Sequence, residues 1–143
     1  MGERTVTIDG FPADHRAFYH QLAFLPLATL DDRGRPWISV TTASDGRRGF
    51  CSSTWDPTRW DVPEDPKLET ELNVKAWFPV GDPARDNLVR GMSLGSRRLV
   101  AGVGLELLNR RRNKFAGHIS SVKTIEDGTS EWTLTLQIEY VLG

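Results

Sequence analysis

Cysteine is nearly absent: Cys51 is alone among 143 residues. A single thiol excludes an internal disulfide framework and any metal site built from several cysteines, and it points to a reducing, cytoplasmic setting. Histidine is almost as scarce. His15 and His20 fall five apart on an expected helix, a poor spacing for one shared face, with no Cys/His partner motif beside them, so no metal site is expected. Neither sign of charge dominates, since 18 Lys and Arg face 19 Asp and Glu for a formal net charge of −1. With a pI near 6.3, the domain-wide basic excess of a general nucleic-acid binder is missing, and no nucleic-acid partner is expected. No run approaches the roughly 18 apolar residues of a membrane span. Met1–Phe18 lacks the apolar core of a secretory signal. "MGERTV" begins like a myristoylation site but places Val6 where Ser or Thr is required, so no membrane partner is expected either. Low-complexity tracts and internal repeats are also missing. A chain of this size and composition reads as one domain with a substantial core.

What is present is a series of short apolar segments cut by turn signals. "PADHRAFYHQLAFL" reads as a helix, with Pro12 in its first turn, Asp14 at the positive end of its dipole, and Phe18, Leu22 and Leu25 at helical spacing. "FLPLATL", "DDRG" and "RPWISVTTA" read as a hairpin with Gly34 at positive φ. "SDGRRG" then turns into a third short strand, "FCSST". Three prolines make "WDPTRWDVPEDP" (Trp55–Pro66) a loop. "LNVKAWF" alternates, with Leu72, Val74, Ala76 and Phe78 on one side; "GDPARDNLVRG" holds a helical turn or two. An apolar strand "LVAGVGLEL", a basic stretch, "HISSVKTI", the turn "EDGTS" and "WTLTLQIEYVL" complete the chain. In the last strand Trp132, Leu134, Leu136, Ile138 and Tyr140 form the apolar set. About seven strands and one or two short helices predict a mainly β domain, an antiparallel barrel or sandwich. Gly117 is among the glycines expected at its bends and bulges. "GVGLEL" lacks a third glycine and sits in a strand, so it is no dinucleotide fingerprint.

Four of the five residues from Arg110 to Lys114 are basic. On a strand, Arg110, Arg112 and Lys114 share one face while Arg111, Asn113 and Phe115 share the other. Such a row is either a solvated rim or an anion site, and guanidinium forks suit a phosphate. Cys51 reads as a small buried hydrophobe, and His118 as a strand residue rather than a proton donor. No residue stands out as an acid, base or nucleophile.

Taken in order, the short helix, "FLPLATLDDRGRPWISV", "GDPARDNL", an apolar strand and "RRRNKFAGHI" resemble the pyridoxamine-phosphate-oxidase-like flavoproteins, the FMN-binding split barrels. The resemblance runs from about His15 to Gly143. It is greatest to an uncharacterised fungal and bacterial subgroup with an Arg-Arg-Arg-Asn-Arg/Lys-x-x-Gly motif. It implies an antiparallel split β-barrel, a homodimer and FMN at the dimer interface, with FAD, haem or a deazaflavin as alternatives. The cofactor-binding positions it implies are Ser39, Val40 and Thr41 on the second strand, Ser52, Ser53 and Thr54 on the third, and Arg59 in the following loop. The later basic strand adds Arg110, Arg112, Asn113 and Lys114, with Trp37 or Trp55 as stacking partners. The implied activity is an FMN-dependent oxidoreductase acting on an unidentified small molecule; the alternative is a non-catalytic flavin, haem or deazaflavin binder. Two departures argue against pyridoxamine phosphate as substrate. Ser39 and Ser44 stand where true oxidases of that type carry Arg and Lys, and their C-terminal Arg-Leu-His-Asp-Arg motif is missing. Relatives of the subgroup continue past "YVLG" with Asn-Cys-Pro-Lys-Tyr, so this domain, residues 1–143, is expected to lack a segment that could complete the site.

Overall fold

The computed structural model describes residues 5–7, 13–54, 70–91, 95, 97–124 and 131–142. Their elements are β1 (Thr5–Thr7), α1 (Ala13–His20), β2 (Leu25–Leu30), β3 (Pro36–Thr41), β4 (Cys51–Ser53), β5 (Glu71–Trp77), α2 (Pro83–Arg90), β6 (Arg98–Glu106), β7 (Arg111–Thr124) and β8 (Glu131–Leu142). The strands form one antiparallel sheet in the order β3-β2-β6-β7-β8-β5-β4, with β1 added to the end of β8. A bridge between Thr42 and Trp77, through a 2.8 Å hydrogen bond from Trp77 N–H to the Thr42 carbonyl, brings the end of β3 round to β5. Among the described residues the ladder does not close beyond it, which leaves a mainly β, split-barrel architecture with two short helices, as the residue pattern and the resemblance predict. Trp55, Arg59, the proline-rich stretch, Pro12 and the "EDGTS" turn lie outside the described residues.

Local chemistry explains most of this framework. Gly34 adopts φ 76° in the β2–β3 hairpin, the left-handed conformation that glycine reaches without a Cβ penalty. Asp31 braces the same turn by accepting from the backbone N–H groups of Arg33 and Arg35, each at 2.9 Å. Asp82 caps α2 by accepting from Ala84 N–H at 2.9 Å, with Pro83 next in line, where its missing N–H costs nothing. Arg98 reaches the other end of α2, donating to the Leu88 carbonyl at 3.0 Å and to that of Gly91 at 3.3 Å.

The inner face of the sheet is the core. Leu25 and Leu27, Leu72, Val74, Ala76 and Phe78, and Trp132, Leu134, Leu136 and Ile138 are all buried there, closed by Phe18, Tyr19 and Leu22 and by Ala84 and Leu88 of α2. Tyr19 meets Phe18 and Phe115 edge to face at 5.4 and 5.6 Å.

Three details differ from the sequence pattern. The helix stops at His20, and Leu25 opens β2 instead of ending α1. Leu25 is buried either way, and Pro26 behind it biases its backbone toward the extended region. The basic stretch and "HISSVKTI" are one fourteen-residue strand. Tyr140 leaves the inward set, because the β7–β8 register shifts beside Gly117; Val141 is buried and Tyr140 faces out. A Cβ on Gly117 would lie 1.9 Å from the Gln137 carbonyl oxygen, so this close approach admits only glycine.

Candidate functional site: an apolar trough on the outer face of the sheet

Strands buried on one side ordinarily show polar residues on the other. Three strands here, β2, β3 and β6, do not. Ile38 and Val40 of β3 are 75% and 57% exposed, and Val40 pairs with Pro26 of β2. Beside them Pro26, Ala28, Ile38, Ala101, Val103, Ala116 and Leu142 line a groove of about 400 Å³ whose charged residue is Lys114. A second groove of about 440 Å³ shares Ala28, Ala101 and Ala116 and ends at Arg97, Glu139 and Tyr140. Together they form one trough across β2, β6, β7 and β8. Three alanines at its centre keep the floor low, and its volume falls in the range of small-molecule and cofactor sites.

The two ends differ chemically. Arg112 and Lys114 mark one, on the outer face of β7 opposite Leu105 and Val103. At the other, the Glu139 carboxylate lies 2.7 Å from His118 Nδ1 through one oxygen and accepts from Arg97 through the other. Partial burial pulls Glu139 upward, but the hydrogen bonds from His118 and Arg97 outweigh it and hold the group below the ordinary glutamate value. As a carboxylate it accepts from a protonated Nδ1, which fixes the ring's tautomer when His118 is neutral and leaves Nε2 as the acceptor nitrogen.

The structure brings some of the expected positions to this face and turns others away. Val40, Arg112 and Lys114 lie on the trough side. Arg110 precedes β7, in the turn, with φ 55°, and so does not share a strand face with Arg112 and Lys114. Ser39 and Thr41 alternate inward and are buried. The Ser39 hydroxyl donates to Asp82 at 2.5 Å, tying β3 to the α2 cap, while the Thr41 hydroxyl has no hydrogen-bond partner among the described residues. Asn113 is also buried; its backbone carbonyl accepts from the Tyr19 hydroxyl at 3.2 Å, and its side-chain amide nitrogen has no partner among the described residues. The Trp37 indole N–H donates to Asp31 at 3.0 Å. Ser52 and Ser53 are half-buried on β4, at the opposite end of the strand order. Thr54 is bonded to Glu71 at 2.9 Å and to Asn73 at 2.6 Å. The trough floor and the His118–Glu139–Arg97 group were not expected from sequence. The floor has a signal: "LVAGVGL" is apolar at both parities, the pattern of a strand covered on both faces.

No family model matches the chain, and no curated protein matches it in sequence. Solved structures do share its fold. One is a Lactobacillus delbrueckii protein whose assignment as a pyridoxamine 5'-phosphate oxidase is itself provisional, with a TM-score of 0.62 at 15% identity over 98% of this chain and 99% of that one. HupZ of Group A Streptococcus gives 0.56 at 12% identity over 92% and 91%. A protein named F420 reductase gives 0.55 at 10% identity over 92% and 98%. The chain therefore has the split-barrel fold of pyridoxamine 5'-phosphate oxidase-like proteins.

Proposed function

We propose that the protein is a flavin-dependent oxidoreductase that holds FMN in the outer-face trough at a homodimer interface. The observation that carries this reading is the combination of an apolar floor with cations at one end. A flat ring system needs apolar contact over its face, and a phosphate needs fixed positive charge. Ala28, Ala101 and Ala116 would lie under the ring, and Lys114 with Arg112 would hold the phosphate. The flavin when bound supplies the redox chemistry; the protein's residues bind it, orient it and exclude water. Covering the exposed Ile38 and Val40 with a second copy accounts for the apolar edge. Fold likeness to proteins named as an oxidase and a reductase supports the same class. The substrate is a small molecule other than pyridoxamine phosphate.

Mass spectrometry of the small molecule that co-purifies with native protein tests this directly. FMN, with a yellow preparation that NAD(P)H bleaches, supports it. FAD or a deazaflavin would keep the class and change the cofactor. A second reading, a non-catalytic haem binder, is favoured by His118, whose carboxylate-bound Nδ1 leaves Nε2 as a metal-type ligand. A Soret band in the native preparation, lost in His118→Ala, would replace the first reading with the second.

A further inference from the structure

The β6–β7 turn carries leucines where hairpin turns ordinarily carry polar or small residues. Leu107 and Leu108 are 76% and 93% exposed. The tip is well formed: Asn109 donates to Glu106 at 2.8 Å, and Gln21 holds the other oxygen of that carboxylate at 3.1 Å. Two adjacent leucines held out in water are an unfavourable surface unless something covers them. Their surroundings are basic. Arg48 lines a groove of about 320 Å³ with both leucines, Leu22 and Phe24. Arg110, Arg111 and Arg112 follow the tip and are exposed. The Arg111 guanidinium sits over the Phe18 ring, 4.9 Å from its centroid, which keeps that charge beside the tip.

We propose that this tip is a docking point for anionic lipid surfaces, with Leu107 and Leu108 entering the interfacial layer and the exposed Arg48 and Arg110 meeting the phosphates. An apolar apex flanked by exposed guanidinium groups matches a surface that is anionic outside and apolar just beneath. A polynucleotide would engage the arginines but leave both leucines in water. Contact of this kind needs no spanning segment, and it is independent of the flavin reading, because the leucines lie outside the trough.

The test is co-sedimentation of the whole chain with vesicles of phosphatidylcholine alone or with phosphatidylserine. Binding is expected to the anionic vesicles only and to weaken as salt is raised. Leu107→Ser with Leu108→Ser should lower partitioning by about tenfold or more, with melting temperature and FMN affinity unchanged. Cys51 is buried, so a Leu108→Cys protein can be labelled selectively with an environment-sensitive dye, whose emission should shift to the blue on anionic vesicles and not on heparin. Any of three results overturns the proposal: absence of binding to anionic vesicles, equal partitioning of the double-serine variant, or conversion of a dimer to a monomer by that variant, which would make the tip a contact between copies.

Discussion

Asp31 concentrates four N–H groups on one carboxylate: the backbone of Arg33 and Arg35, Arg35 Nε at 2.7 Å and Trp37 Nε1 at 3.0 Å. The Trp37 hydrogen bond, with the three from Arg35 and Arg33, favours the charged form and holds the group well below the carboxylate range against the opposing effect of burial. A depressed folded-state value means stabilisation that is complete above the unfolded value, about 3.9, and is lost as pH falls through the folded value. Asp31→Asn should therefore melt below wild type at pH 7, with the gap narrowing progressively in acid. A gap independent of pH would show that the charge is not what holds the hairpin. Arg112 belongs to the same scale. Arg112→Ala should weaken FMN binding by about 1.5–3 kcal/mol, the range for a hydrogen bond to a charged group. Riboflavin, which lacks the phosphate, should lose far less; equal losses in two titrations would remove Arg112 from the phosphate site.

Elements were legible in the sequence wherever one pattern governed them. Clean alternation in "LNVKAWF" and "WTLTLQI" predicts β5 and most of β8, and "DDRG" with a left-handed Gly34 predicts the β2–β3 hairpin. Two signals were hidden by competition. Helical spacing through Leu22 and Leu25 is also the spacing of two core positions on different elements, and the restriction imposed by Pro26 decides between them. The inversion of β8 between Ile138 and Val141 arises from a bulge, which depends on how two strands meet and leaves no periodic mark on either. Alternation also governs the candidate site. Ser39 and Thr41 flank Val40 in sequence but lie on the opposite face of the sheet, so a motif carried over as a continuous run spans two environments. Gly117→Ala tests the bulge: with the Gln137 carbonyl in the way, it should destabilise the fold by about 1–3 kcal/mol, the cost of overpacking, in urea titrations. A neutral substitution would mean that the strands meet differently there.

The described residues form a sheet whose inner face is filled by its own helices and side chains while three strands, β2, β3 and β6, keep an apolar outer face. On the account proposed here a second copy covers that face, and sedimentation at tens of micromolar should give a dimer that Ile38→Asp converts to monomer. A wild-type protein that sediments only as monomer would contradict it. If the trough, with its cations at one end, holds a flavin, thermal or chemical melting across a series of ligands will register it. FMN at about 100 times its dissociation constant should stabilise the fold by roughly 2.7 kcal/mol. Inorganic phosphate or sulfate should give part of that effect by occupying the phosphate end, and uncharged ligands of similar size should give none. Melting indifferent to FMN, phosphate and sulfate alike would mean that the basic stretch is a solvated rim and that the trough does not hold the cofactor.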